Sequence, residues 1–188
     1  MLAITRLAPE VFESHYWRHR PAYDRGDFYG DGYWREFAQS AAISLTDEQV
    51  AELIKQDVTV WTATDPVMVD WVRRLHEAGV LTAILSNMCR EIRDHMVENF
   101  DWLGGFRHLT WSCELGISKP DSAIYSHTLE KLGVPADEAL FIDDLEENVR
   151  AAEAIGLNAL LFTTPAQLQK DLTLCGFATQ LPPVTSEH

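Results

Sequence analysis

The 188-residue sequence carries 15 Lys and Arg against 29 Asp and Glu, a formal net charge of −14. That length suits one domain or a domain with a modest insert, and 46% hydrophobic with 10% aromatic residues excludes general disorder. Such acidity argues against nucleic acid or an anionic membrane as partner, and no apolar run reaches the roughly 18–20 residues of a membrane span. The opening MLAITRLAPEVFESHYW has no basic stretch followed by a long apolar one, so no signal peptide is expected. Cys89, Cys113 and Cys175 are odd in number and widely spaced, which fits neither a disulfide framework nor a zinc knuckle. A reducing, cytoplasmic setting is the expectation.

Residues 1–65 read as helical throughout. Pro9 stands near a helix start with Glu10 and Glu13 in the opening turn, and Phe12, Tyr16, His19 and Arg20 follow helical spacing. RGDFYGDGY, residues 25–33, reads as a turn, after which a helical pattern runs from Tyr33 to Ala42. Thr46-Asp47-Glu48-Gln49 has the form of a capping box and opens a helix through about Gln56. This half is expected to be a small helical bundle.

After Pro66 the pattern alternates. A helix from Val67 to Ala78 closes at Gly79, and VLTAIL (80–85) suits a buried strand. A helix near 91–100 and a strand at 108–112 follow. Asp121 caps a helix ending before Gly133, and ALFID (139–143) is a second apolar strand. A helix over 147–155, the strand NALLF (158–162) and a helix opened by Pro165 complete the order. Strands alternating with helices of about ten residues imply an α/β fold: a doubly wound, Rossmann-like parallel sheet covered on both faces. The expected layout is a helical domain over 1–65, an α/β core over 66–180 and a frayed tail over 181–188.

In open parallel sheets, ligands gather beyond the carboxyl ends of the strands. Three such ends carry complementary groups here: Ser86-Asn87 after VLTAIL, Lys119 in the loop ELGISKPDSAIY, and Asp143-Asp144 closing ALFIDD. Singly, these read as a turn, a solvated loop and a crowded acid pair. Together, at successive strand ends, they suit phosphate chemistry. An acid pair offers oxygens to Mg²⁺, Lys119 offers a point charge, and Ser86 with nearby amides can hold phosphate oxygens.

The segments AILSNM, GISKPDSAIY and FIDDLEENVRAAEAIGL resemble the second, third and fourth motifs of the haloacid dehalogenase-like hydrolase superfamily. The resemblance spans most of residues 66–165, and the helical N-terminal half is similar to the small helical cap of one branch. It implies a Mg²⁺-dependent phosphatase acting on a small phosphate monoester such as a sugar phosphate, through an aspartyl-phosphate. By the resemblance, Ser86 would bind phosphate with Asn87 shaping the adjacent loop, and Lys119 would steady the nucleophile and phosphate. Asp144 would be the direct metal ligand and Asp143 a ligand behind it or through water.

The family's first motif, Asp-x-Asp-Gly-Thr on a strand near the N-terminus, has no counterpart in this sequence. Asp27-Phe28-Tyr29-Gly30-Asp31-Gly32 is the nearest match, but no apolar strand precedes it and it falls among the bundle helices. In the family the missing strand lies between those bearing the second and fourth motifs. The expectation is that this strand lies upstream of residue 1 and that the chain as given is inactive without its nucleophile. Two alternatives stand beside it: a family member that binds without catalysing, and a metal-free haloacid dehalogenase, against which the acid pair speaks. His15 and His19 share a helix face without a third ligand, so packing is their expected role. The aromatic residues between Tyr16 and Phe37 are expected to pack the bundle, with a few beside Arg18, Arg20 or Arg25 available to select a substrate.

Overall fold

In the computed structural model, which describes residues 1–185, the helical spacing of the first part becomes α1 (Leu2–Thr5), α2 (Pro9–Asp24), α3 (Gly30–Ser40) and α4 (Asp47–Trp61). There follow α5 (Pro66–Glu77), β1 (Ala83–Ser86), α6 (Arg90–Asn99), β2 (His108–Trp111), α7 (Ser112–Leu115), α8 (Ser122–Leu132), β3 (Leu140–Asp143), α9 (Glu146–Ala154), β4 (Asn158–Leu161) and α10 (Pro165–Leu174). Residues 1–63, 86–100 and 111–118 form one compact unit; residues 64–85, 101–110 and those from Lys119 onward form a second. Among the described residues, no helix is long and apolar enough to cross a membrane.

In the first unit, aromatic side chains make the core. Tyr23, Tyr33, Trp34 and Phe37 are fully buried, and the Tyr23 and Tyr33 rings stack with centroids 4.4 Å apart. Within this core lies a charged network. Arg20 is buried and its Nη1 donates to both carboxylate oxygens of Asp57, at 3.0 and 2.9 Å, while its Nε donates to Asp24 at 2.8 Å. The Tyr16 hydroxyl donates to Asp57 at 2.5 Å and accepts from Trp61 Nε1 at 2.6 Å. The guanidinium lies 5.3, 5.4 and 4.9 Å from the ring centroids of Tyr16, Tyr23 and Trp61. These bonds draw α4 on to Trp61, five residues past the expected end at Gln56. The capping box forms as read, with Thr46 and Gln49 each accepting from the other's backbone N–H.

α3 begins at Gly30, three residues before its expected start. Tyr29 at the N-cap supplies no side-chain bond; instead Glu91 Oε1 accepts from the Gly30 N–H at 2.6 Å, and Glu91 Oε2 accepts from Tyr23 at 3.0 Å. A carboxylate from α6 thus satisfies the helix terminus and suits its positive end. His15 Nδ1 lies 2.9 Å from Ser40 Oγ, and Arg20 is committed to the buried network.

Desolvation pushes the half-buried Asp24 carboxyl up to about 6, against the pull of Arg20. The unfolded chain then releases this proton near 3.8 and the folded chain near 6, so the folded state binds more protons between those values. The contribution of Asp24 to stability therefore falls as pH rises through that window. Asp24→Asn is expected to flatten this part of the stability profile, read as thermal midpoints across pH 4–7. An unchanged slope would reject the assignment.

In the second unit, Asp65 caps α5 by accepting from the Val67 and Met68 N–H groups at 2.8 and 3.4 Å. Trp71 and Leu75 of α5 pack in one buried cluster with Leu168, Leu172 and Val184. Val184 belongs to the segment expected to fray. In fact residues 181–185 lie along α5: Trp71 Nε1 donates to the Pro182 carbonyl and Arg74 Nη1 to that of Pro183, at 2.8 and 2.7 Å. Burial of Val184 and these two donors hold what composition alone reads as a loose end; residues 186–188 lie outside the described residues. Gly79 and Gly133 close α5 and α8 with φ of 74° and 71°, a conformation that costs a residue with Cβ.

β3 and β4 pair in parallel, with Leu140 opposite Asn158 and Asp143 opposite Leu161. β1 pairs with β2, and among the described residues each of the two sheets has two strands. Between β1 and β3 lies a cavity of about 550 Å³ lined by Ala83, Leu85, Leu140 and Ile142, with Leu75 and Tyr125 from α5 and α8. Its size explains why β1 and most of β3 are half-buried rather than buried.

Candidate active site

The apolar run of β3 ends in Asp143, whose side chain is turned inward and buried, whereas Asp144 is exposed at the strand's carboxyl end. Asp143 is held from three sides. Its Oδ2 accepts from Lys119 Nζ at 2.6 Å; its Oδ1 accepts from the Leu145 N–H at 3.0 Å and from Asn148 Nδ2 at 2.8 Å. Both carboxylate oxygens are thereby committed to protein donors.

Lys119 reaches this position from the loop before α8, where Asp121 caps the helix by accepting from the Ala123 N–H at 2.9 Å. The Lys119 ammonium also donates to the Leu85 carbonyl at 3.0 Å and lies 5.6 Å from the Phe141 ring centroid. The Lys119–Asp143 pair is almost wholly desolvated, with side chains 9% and 6% exposed. A pair so buried is kept only with good geometry and further hydrogen bonds, and both are present.

Of the residues singled out by sequence, the second unit brings Lys119 and Asp143 into contact and places Asp144 next in the chain, open to solvent. Ser86, the last residue of β1, and Asn87, in the loop before α6, are half-buried and fall in the first unit. One participant was missed. Asn148 is buried in the first turns of α9, and its Nδ2 orients Asp143 while its Oδ1 has no hydrogen-bond partner among the described residues. The Tyr125 hydroxyl donates to the Asn148 carbonyl at 3.0 Å. The available signal was a polar residue on the inward stripe that Val149 and Ala152 share.

Asp143 is engaged by three protein donors, whereas Asp144 beside it is exposed and offers its carboxylate to a cation. Among the described residues no group of three or more His, Cys, Asp or Glu is assembled to hold a metal. This fits Mg²⁺ and not a metal caged by protein, because Mg²⁺ takes one or two carboxylates and fills its shell with water and phosphate oxygens. The chemistry the unit supports is thus a desolvated cation held by an acid, beside an exposed carboxylate, at one strand end.

The description "haloacid dehalogenase-like hydrolase" matches residues 9–156 of the chain. A stretch of 142 residues is 30% identical to acyl-CoA dehydrogenase family member 10 of Mus musculus; it covers 73% of this chain and 12% of the mouse protein's length. A sesquiterpene phosphatase of Aspergillus oryzae is 27% identical over 154 residues, covering 81% of this chain and 75% of that protein. Among solved structures, a HAD-family enzyme of Bacteroides thetaiotaomicron in complex with magnesium and inorganic phosphate is similar with a TM-score of 0.63. It is 17% identical, and the match covers 84% of this chain and 87% of that one, a likeness of fold.

Proposed function

The chain belongs to the haloacid dehalogenase-like hydrolases, and from that membership we propose that it forms the cap and core of a Mg²⁺-dependent phosphatase for a small phosphate monoester, such as a sugar phosphate. The observation that carries the reading is the desolvated Lys119 ammonium, held by Asp143, which Asn148 in turn orients, beside the exposed Asp144. A phosphatase similar to it, that of Aspergillus oryzae, aligns over most of both chains and supports the reading. In this reading residues 1–65 are the helical cap and 66–180 the catalytic core.

The roles follow from the chemistry of each group. In this reading an aspartate attacks phosphorus and the substrate's alcohol departs, giving an aspartyl-phosphate that water then hydrolyses to aspartate and phosphate. Lys119 neutralises the charge that gathers on nucleophile and phosphoryl oxygens, and a desolvated ammonium does so far better than one in water. Asp143 acts through Lys119: it fixes the ammonium's position and balances its charge in the empty site. Ser86 and the backbone about Asn87 hold phosphate oxygens. Asp144 would hold Mg²⁺, which when bound supplies Lewis-acid neutralisation of the phosphoryl group.

The test uses the native protein from its own cell, with any residues upstream of Met1, on a panel of small phosphate monoesters. Asp144→Asn is expected to raise the Mg²⁺ concentration for half-maximal activity and to cut turnover by about 10²–10³-fold, with an unchanged melting temperature. Turnover at the wild-type level would remove Asp144 from the site. Haloacid turnover that persists in chelator would favour metal-free dehalogenation, and no turnover of either substrate class would favour binding without catalysis.

A further inference from the structure

We infer that Arg90 is a specificity residue, whose guanidinium binds a carboxylate carried by the same phosphate monoester that meets Ser86 and Asn87, a role that rests on the phosphatase reading and narrows its substrate class. Arg90 opens α6 directly after the Ser86-Asn87 loop, and all three share the first unit with Gly26, Tyr29 and Cys113. Arg90 is half-buried, yet among the described residues no carboxylate forms an ion pair with it. The acids adjoining Arg90 and Cys113 in the chain are spent elsewhere. Glu91 accepts from the Gly30 N–H and the Tyr23 hydroxyl at 2.6 and 3.0 Å, and Glu114 accepts from Arg93 Nη1 at 2.5 Å. Arg93, one turn along α6, is by contrast paired twice, with Glu114 and with Asp94. In a chain of net charge −14, a half-buried arginine left without an acid is a place for an anion from outside.

The guanidinium is also seated. Its Nη1 donates to the Cys113 carbonyl at 2.8 Å, and the group lies 5.3 Å from the ring centroid of Tyr29, itself 65% exposed. Gly26 makes room for this seat: its φ is 89°, and a Cβ there would lie 2.8 Å from Arg90 Nη1 and 2.5 Å from the Cys113 carbonyl oxygen. The bond from Nη1 leaves the Nε–Nη2 edge unspent, and two parallel N–H groups on one edge match the two oxygens of a carboxylate. The seat is tied to the loop as well. The Met88 N–H donates to Ser112 Oγ at 2.9 Å, and Ser112 adjoins Cys113, so two successive residues hold the loop backbone and the guanidinium in fixed relation. A substrate that gives its phosphate to one anchor and its carboxylate to the other is oriented as a single phosphate cannot be.

The experiment sets paired probes on the native protein, with any residues upstream of Met1. Calorimetry compares phosphonocarboxylates of about two to four carbons with alkylphosphonates of the same length, and kinetics compares the corresponding phosphate esters. Wild type is expected to bind a carboxylate probe about tenfold or more tightly than its carboxylate-free partner, and to show the same preference in kcat/KM, carried by KM. Arg90→Met is expected to lose the preference, and Arg90→Lys to keep part of it, since an ammonium has the charge without the fork. If Arg90→Met does not fold, the Lys variant reads the same ratio. An arginine that only braced the Cys113 carbonyl would weaken both members of a pair alike, and that unchanged ratio, or a wild type with no preference, would overturn the inference. The outcomes also separate the two readings. An Arg90-dependent preference in binding without turnover of any ester would uphold the anion site and remove the phosphatase reading. Mg²⁺-dependent turnover without preference would keep the phosphatase and remove Arg90 from it.

Discussion

Lys119→Met is expected to destabilise the chain by about 3 kcal/mol and to lower phosphatase turnover in the native protein by about 10²–10³-fold. The stability loss arises because Asp143 stays buried, 6% exposed at its side chain, after its cation 2.6 Å away is gone. The figure sits at the low end for a broken buried pair because Asn148 and the Leu145 N–H still donate to Asp143. The Leu85 carbonyl loses a donor as well. Asp143→Asn in the same chain removes the stranded charge and is expected to recover more than half of the loss, a coupling that a double-mutant cycle in urea reads directly. Additive effects of the two substitutions would mean that the ion pair does not form in solution. Lys119→Arg is not expected to rescue turnover, since the planar guanidinium cannot occupy the ammonium's place between a carboxylate and a carbonyl.

The α/β class and the strand-end position of Lys119 and Asp143 were legible in the sequence because both rest on short-range patterns. Apolar runs of strand length alternate with helical spacing, and polar residues stand where such runs stop. Thr46 and Gln49 announced their helix start for the same reason: the capping partners are three residues apart. Features set by distant partners were not legible. α3 starts at Gly30 because Glu91, 61 residues along the chain, accepts its N–H. α4 continues to Trp61 because Asp57 and Trp61 bond to Arg20 and Tyr16 of another helix. The segment 181–185 packs because Trp71 and Arg74 reach its carbonyls, 111 and 109 residues away. Asn148 escaped notice because a single polar residue in an acidic, amphipathic helix looks like a solvated face until Asp143 is placed against it.

The same contrast bears on how the two strand pairs are held. Lys119 binds the carbonyl of Leu85 on β1 and the carboxylate of Asp143 on β3, so one side chain links the carboxyl ends of strands that belong to different sheets. Farther along those strands the link is replaced by the apolar cavity.

Asp57→Ala is expected to cost about 3–5 kcal/mol, the largest single loss in the first unit. Asp57 is 1% exposed and takes both bonds from Arg20 Nη1 together with the Tyr16 hydroxyl, so its removal strands a guanidinium and a phenol in an aromatic core. Asp24 remains on Arg20 Nε at 2.8 Å and holds the loss within that range. The substitution carries a second signature. Asp57 is one of the groups that raise the Asp24 pKa, so without it Asp24 ionises at lower pH and the fall in stability between about pH 4 and 6 becomes shallower. Simple loss of packing would lower stability equally across that window. Thermal midpoints of wild type, Asp57→Ala and Arg20→Met/Asp57→Leu across pH 4–7 separate the cases. The double variant strands neither member of the Arg20–Asp57 pair and leaves only Asp24 without its cation, so it should regain much of the stability, because replacing a buried ion pair with apolar side chains of like size is often neutral or better. If it were no more stable than Asp57→Ala, volume and shape rather than charge would hold this core together.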